Sequence, residues 1–135
     1  MSRGLSCWIL VGGLLATSPA RAQIPAEQRL MIFGGADHDV YLGCLSCLPT
    51  APDSVYNVIG KYGSEISPTS VLNHISRYGD PISPTSACNI LASEPPVLVD
   101  RTGKYYGELT MNELRTKRTT LKAALAWLRL ACADR

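Results

Sequence analysis

The amino-acid sequence predicts a small α+β domain in which two β-hairpins flank a three-copy short-helix repeat and an amphipathic helix closes the chain. Three observations predict this class. Apolar runs of strand length are paired across polar, glycine-containing turns at residues 30–42 and 97–110. Between them, residues 51–66, 67–82 and 83–98 align on one another without a gap. Beyond Asn112 the apolar residues fall at helical spacing. With 135 residues, 46% of them hydrophobic and 18% charged, the chain has single-domain size and is too apolar to be intrinsically disordered.

Residues 1–22 read as a cleaved secretory leader and not as part of the fold. Arg3 gives a basic start, Trp8 to Ala16 an apolar middle, and Ala20-Arg21-Ala22 the small-x-small pattern that a signal peptidase cuts. The apolar run is too short to span a bilayer. Cleavage after Ala22 removes Arg3, Arg21 and Cys7 and leaves a mature chain that starts at Gln23. The 13 basic residues then fall to parity with the 11 acidic ones, so no attraction to nucleic acid is expected. The five cysteines become an even set, Cys44, Cys47, Cys88 and Cys132, suited to disulfides in a secreted or periplasmic location. Three pairings of four cysteines exist, and spacing does not choose among them.

The body, residues 23–111, opens on the first hairpin. Leu30-Met31-Ile32-Phe33 is closed by Gly34-Gly35, and Val40-Tyr41-Leu42 returns after Asp37-His38-Asp39. The second hairpin runs from Val97-Leu98-Val99 through Asp100-Arg101-Thr102-Gly103 to Lys104-Tyr105-Tyr106. Aspartate opening and glycine closing a four-residue turn is the expected turn chemistry. Pro95-Pro96 keeps any helix from running into it.

In the three central copies Ser54, Ser70 and Ser86 coincide, as do Asn57, Asn73 and Asn89, and Pro52, Pro68 and Pro84. Serine ahead of an apolar-periodic run, with proline two residues earlier, is a helix-start signal. Val55 and Ile59 lie four apart, as do Val71 and Ile75, which fits one helical face. Gly63 and Gly79 stand where a left-handed cap would end the helix. Each copy is therefore expected to be a short helix and an extended link, stacked on its neighbour. Asparagine is a poor helix-interior residue, so Asn57, Asn73 and Asn89 are expected to satisfy backbone groups of the neighbouring link. The other reading makes them a row of amides facing an envelope glycan, with Tyr56, Tyr62 and Tyr78 as stacking platforms.

The tail, residues 112–135, carries Leu114, Leu121, Leu125, Leu128 and Cys132 as a helical stripe. Arg115, Lys117, Arg118, Lys122, Arg129 and Arg135 stand against only Glu113 and Asp134, whereas the body is acidic. A basic C-terminal helix docked on an acidic body is the expectation. Contact of that helix with an anionic membrane surface is the alternative.

Three groups could carry chemistry. Cys44-Leu45-Ser46-Cys47 has the spacing of a redox pair, but the βαβ frame in which such pairs lower a thiol pKa is missing, so a structural disulfide is expected. Cys44 and Cys47 with His38, joined by His74 or Cys88, would make a zinc site if the fold assembled it. Asp37 and Asp39 on either side of His38 could act as a general base or hold a cation. No zinc-protease, serine-hydrolase, P-loop, dinucleotide or EF-hand motif occurs.

The stretch Phe33-Gly34-Gly35-x-x-His38-x-x-Tyr41-Leu42-Gly43-Cys44-Leu45-x-Cys47 resembles the opening of a group of small secreted bacterial proteins. The likeness continues in Ser54-x-x-Asn57-x-x-Gly60-x-Tyr62-Gly63 and in Pro96-Val97-x-Val99-Asp100, Gly103, Tyr106-Gly107 and Thr110-x-Asn112. It covers about residues 30–112. In that group tryptophan often precedes the repeated asparagine, where this chain has Tyr56, Leu72 and Cys88. The resemblance implies one shared domain and export, and no mechanism. The expectation from the whole chain is a non-enzymatic binding module of the cell envelope or periplasm, its partner a protein or an envelope glycan. The alternative is a metal-binding, thiol-redox or hydrolytic site on Asp37, His38, Asp39, Cys44 and Cys47.

Overall fold

A computed structural model describes residues 12–13 and 29–133. The expected leader lies outside the described residues, apart from Gly12 and Gly13. Four strands, β1 (Met31–Gly34), β2 (Val40–Cys44), β3 (Val97–Val99) and β4 (Tyr105–Glu108), make one antiparallel sheet in the order β2-β1-β3-β4. A single helix among the described residues, α1 (Lys122–Ala131), packs its Ala124, Trp127, Leu128 and Ala131 into the core.

At the centre of the sheet Ile32 pairs with Leu98, and both side chains are fully buried. Each faces a glycine on its outer neighbour: Gly43 opposite Ile32 and Gly107 opposite Leu98. Both glycines have positive φ, 114° and 104°, and both lie where another segment crosses the sheet edge. A Cβ on Gly43 would stand 2.7 Å from the Tyr62 Cβ, and one on Gly107 would stand 2.7 Å from the Thr119 Cα. These close approaches let the chain bridge its own edges, in parallel, at Cys44–Ser54 and Glu108–Arg118.

Residues 51–92 connect the hairpins without a helix, which corrects the expected three-helix repeat and with it the α+β class. The backbone instead turns at nearly every third residue. Ser54, Asn57 and Gly60 each donate an N–H to the carbonyl three residues back, and so do Ser70, Asn73 and Ser76. One wider step follows in each of the first two copies, where Ser64 bonds Gly60 and Asp80 bonds Ser76 across four residues, whereas in the third Glu94 bonds Pro84 across ten. Four three-residue steps and one of four account for the sixteen-residue period.

The physical reason lies at the corners. Ser54, Asn57, Ser64, Ser70, Asn73, Asp80 and Asn89 each accept, on a side-chain oxygen, the N–H two residues ahead. A helix would need those N–H groups to reach four residues back, and local capping that recurs along a segment holds the chain in turns. The four-residue pairs that suggested one helical face are split. Val55 and Val71 are 1% exposed and join the core, whereas Ile59 is 92% and Ile75 88% exposed. Hydroxyl bonds from Thr69 to the Lys61 carbonyl and from Thr85 to the Arg77 carbonyl, each eight residues back, lay successive bends side by side.

The tail helix is also shorter than its stripe predicted. Residues 112–121 continue the turn chemistry: Asn112 caps the N–H of Leu114, and Thr119 caps that of Leu121. Leu114, expected on the buried stripe, is exposed. The helix docks by apolar packing, not by the charge contrast with the body. Arg115–Glu108, which precedes the helix, is the one ion pair among the described residues.

Candidate interaction surface

Three of the expected chemical groups are held in structural bonds. His38, at φ 52°, closes the first hairpin and donates from Nε2 to the Pro95 carbonyl at 2.9 Å, since a carbonyl can only accept. That bond ties the hairpin tip to the proline pair ahead of β3. Asp37 and Asp39 beside it are exposed. Cys44 is bonded to Cys47 and Cys88 to Cys132, with Cα separations of 5.5 and 5.4 Å. Sulfurs joined in this way are not thiolate ligands. Among the described residues no group of three or more histidine, cysteine or acidic side chains stands close enough to hold a metal ion. The two disulfides mark an oxidising, extracellular location. Among the described residues no helix is long and apolar enough to cross a membrane.

The repeated amides also bond the backbone. Asn57, Asn73 and Asn89 donate Nδ2 to the carbonyls of Ala51, Ser67 and Ser83, each six residues earlier, while their Oδ1 atoms cap the turn ahead. Asn73 and Asn89 are buried. The three tyrosines do not share a face. Tyr78 is in the core and Tyr56 is exposed. Tyr62 lies edge-on to Tyr41, with ring centroids 5.0 Å apart.

Tyr41, which the sequence does not single out, joins a small polar-aromatic cluster. It donates to Asp53 at 2.6 Å and contacts Phe33 at 5.4 Å. Burial, reinforced by the Asp53 carboxylate, pushes its phenol above the ordinary range, so it stays protonated.

What the array presents outward is aliphatic. Ile59, Ile75 and Leu91 recur at one position of each copy and are 92%, 88% and 82% exposed; Ile66 and Ile82 recur at another, at 88% and 83%. Each stands two residues beyond a capping Asn, Ser or Asp, at the point where the turn carries its side chain away from the core. One residue of each row, Ile82 and Leu91, lines an open groove with Pro81, Pro84, Asn89 and Ile90. Monomeric soluble domains rarely leave so regular an apolar face to water. The corner alone does not mark these residues, since Tyr78 and Cys88 stand two positions beyond capping Ser76 and Ser86 and are buried.

The chain is thus a two-disulfide domain in which one antiparallel sheet carries a long array of capped turns with an aliphatic outer face. Neither a family model, nor a curated protein, nor a solved structure matches it.

Proposed function

We propose that the chain is an exported, non-enzymatic binding module of the cell envelope or periplasm, and that its partner docks on the aliphatic tips of the turn array. The observation that carries this reading is the register of Ile59, Ile75 and Leu91 with Ile66 and Ile82, all more than four-fifths exposed. Burying such side chains on association gives the largest favourable term available to this surface. The groups that would do chemistry have other engagements: His38 with Pro95, and Cys44 with Cys47. The same holds for a glycan face, because the amides it would use already bond backbone groups. The partner is therefore an apolar protein surface. Export follows from the leader-like residues 1–22 and from the likeness to small secreted bacterial proteins.

The test places p-benzoylphenylalanine at Ile75, or at exposed Thr102 in the second hairpin turn, in the exported protein. Irradiation in the living cell is expected to give a discrete adduct from position 75 that Ile59→Asp abolishes, and none from position 102. Absence of any adduct at 75 would overturn the reading.

A further inference from the structure

We infer that the occupant of the aliphatic face is a second copy of this chain, docked on it about a two-fold axis. The inference rests on the binding reading above and names the partner of that surface. Four observations carry it.

The first is area. Beside the five tips, Val58 and Ile90 on the same turns are 76% and 59% exposed. Seven aliphatic side chains open to this degree approach the roughly 800 Å² that each partner contributes to a standard stable interface.

The second is shape. A two-fold interface requires one patch to complement itself. Beside the tips lies a groove whose lining, Ile82, Pro84, Ile90 and Leu91 among it, has the same aliphatic character as the tips. Because the tips recur at a fixed period, a ridge that seats in one groove brings its neighbours into register as well.

Charge is the third. Exposed Lys61 and Arg77 each follow a tip by two residues, exposed Glu65 directly precedes the tip Ile66, and exposed Glu94 follows the tip Leu91 by three. With Asp80, which caps the turn at Ile82, two cations stand against three carboxylates, so no net positive field favours anionic lipid. A second copy turned through two-fold rotation can set each cation against a carboxylate.

Last, the sheet edges are not free for strand-to-strand association. The outer strands are only five and four residues long, and each is bridged by the chain's own Ser54 or Arg118. Of α1, Ala124, Trp127, Leu128 and Ala131 are in the core and Leu130 stands alone on the outer side, 78% exposed.

The experiment is sedimentation velocity on the disulfide-bonded exported protein, from low to high micromolar concentration, beside Ile59→Asp/Ile75→Asp. Both side chains are exposed, so the variant is expected to keep its circular dichroism and its blocked thiols. The expected result is a dimer for the parent chain and a monomer for the variant, with the adduct from position 75 migrating at twice the chain mass. A dimer that survives the double substitution would remove this face from the interface and overturn the inference. A parent chain that is monomeric throughout would overturn it too. An adduct of a different mass would then leave the binding reading standing, whereas no adduct would end both. Co-sedimentation of the monomer with phosphatidylglycerol vesicles would assign the face to lipid instead.

Discussion

Arg115 grips both carboxylate oxygens of Glu108, with Nε 2.6 Å from Oε2 and Nη2 2.9 Å from Oε1. The same guanidinium donates to the carbonyls of Ala92 and Ser93, where the turn array ends. One side chain thus joins β4, the last bend of the array and the segment leading to α1. Glu108 is buried, and Arg115 is its ion-pair partner there. Arg115→Ala is expected to cost about 2–3 kcal/mol, near the low end for a broken buried pair because the arginine is partly solvated. Urea unfolding at constant m-value measures it. A loss no larger than that of an ordinary surface substitution would show the clamp to be idle.

Asp100 predicts an acid limb. Its carboxyl is lowered to about 2, by the Thr102 hydroxyl first and, against the opposing effect of burial, by the Tyr106 hydroxyl and the N–H groups of Lys104 and Thr102. A depressed folded-state pKa stabilises the fold above the unfolded value of 3.8, and that stability is lost as pH falls towards about 2. Melting temperature should therefore drop across that window in the parent chain. The drop should be shallower in Asp100→Asn, and equal slopes would refute the assignment.

The two disulfides should differ in weight. Cys88–Cys132 closes a separation of 44 residues and Cys44–Cys47 one of 3. On loop entropy alone the first is worth about 4 kcal/mol and the second about 2 kcal/mol. Paired serine substitutions compared by thermal unfolding give the order, and a reversed order would mean that the short loop carries native-state packing which the entropy account omits.

Gly79 tests the array itself. A Cβ there would run into the carbonyl oxygens of Val71 and Asn73, with backbone on both sides and no side chain free to yield. Gly79→Ala is expected to lose about 1–3 kcal/mol by overpacking. Gly103→Ala offers a contrast: nothing surrounds that site, and only its positive φ of 84° opposes the change. If Gly79→Ala melts with the parent chain, the bends do not nest as described.

Asn73→Ala removes a donor to the Ser67 carbonyl and an acceptor for the Ile75 N–H at a buried position. A loss of about 1–3 kcal/mol is expected, the range for leaving buried backbone groups unpaired. Asn57→Ala, at the more open first copy, should lose less. Differential scanning calorimetry of the two variants decides whether depth in the array sets the effect.

The hairpin turns were legible because their chemistry is unambiguous. Asp100 accepts from the Thr102 and Lys104 N–H groups, and Gly103 takes the positive φ that closes the turn. The array was not, because a helix start and a capped turn use the same atoms. Serine before Val55 can cap either, and Val55 with Ile59 fits either. Only the return of a capping side chain along the whole segment separates them, since a helix takes one such cap at its start. The aliphatic tips were hidden by a sound prior: isoleucine is usually inside, whereas Ile75, two residues beyond the corner at Asn73, is 88% exposed. Cysteine pairing depends on folded distance and could not be read from spacing.

The crossing at Gly107 has a consequence for incomplete chains. Lys117 and Thr119 provide the carbonyl and the N–H that flank Glu108 on the free side of β4. A chain ended before Lys117 would present that strand's end unpaired and would also lose α1 from the core and the Cys88–Cys132 disulfide. Such fragments should precipitate instead of persisting as weakened monomers, whereas a single clip between residues 111 and 117 would leave the far piece tethered through Cys88–Cys132 and the molecule in solution.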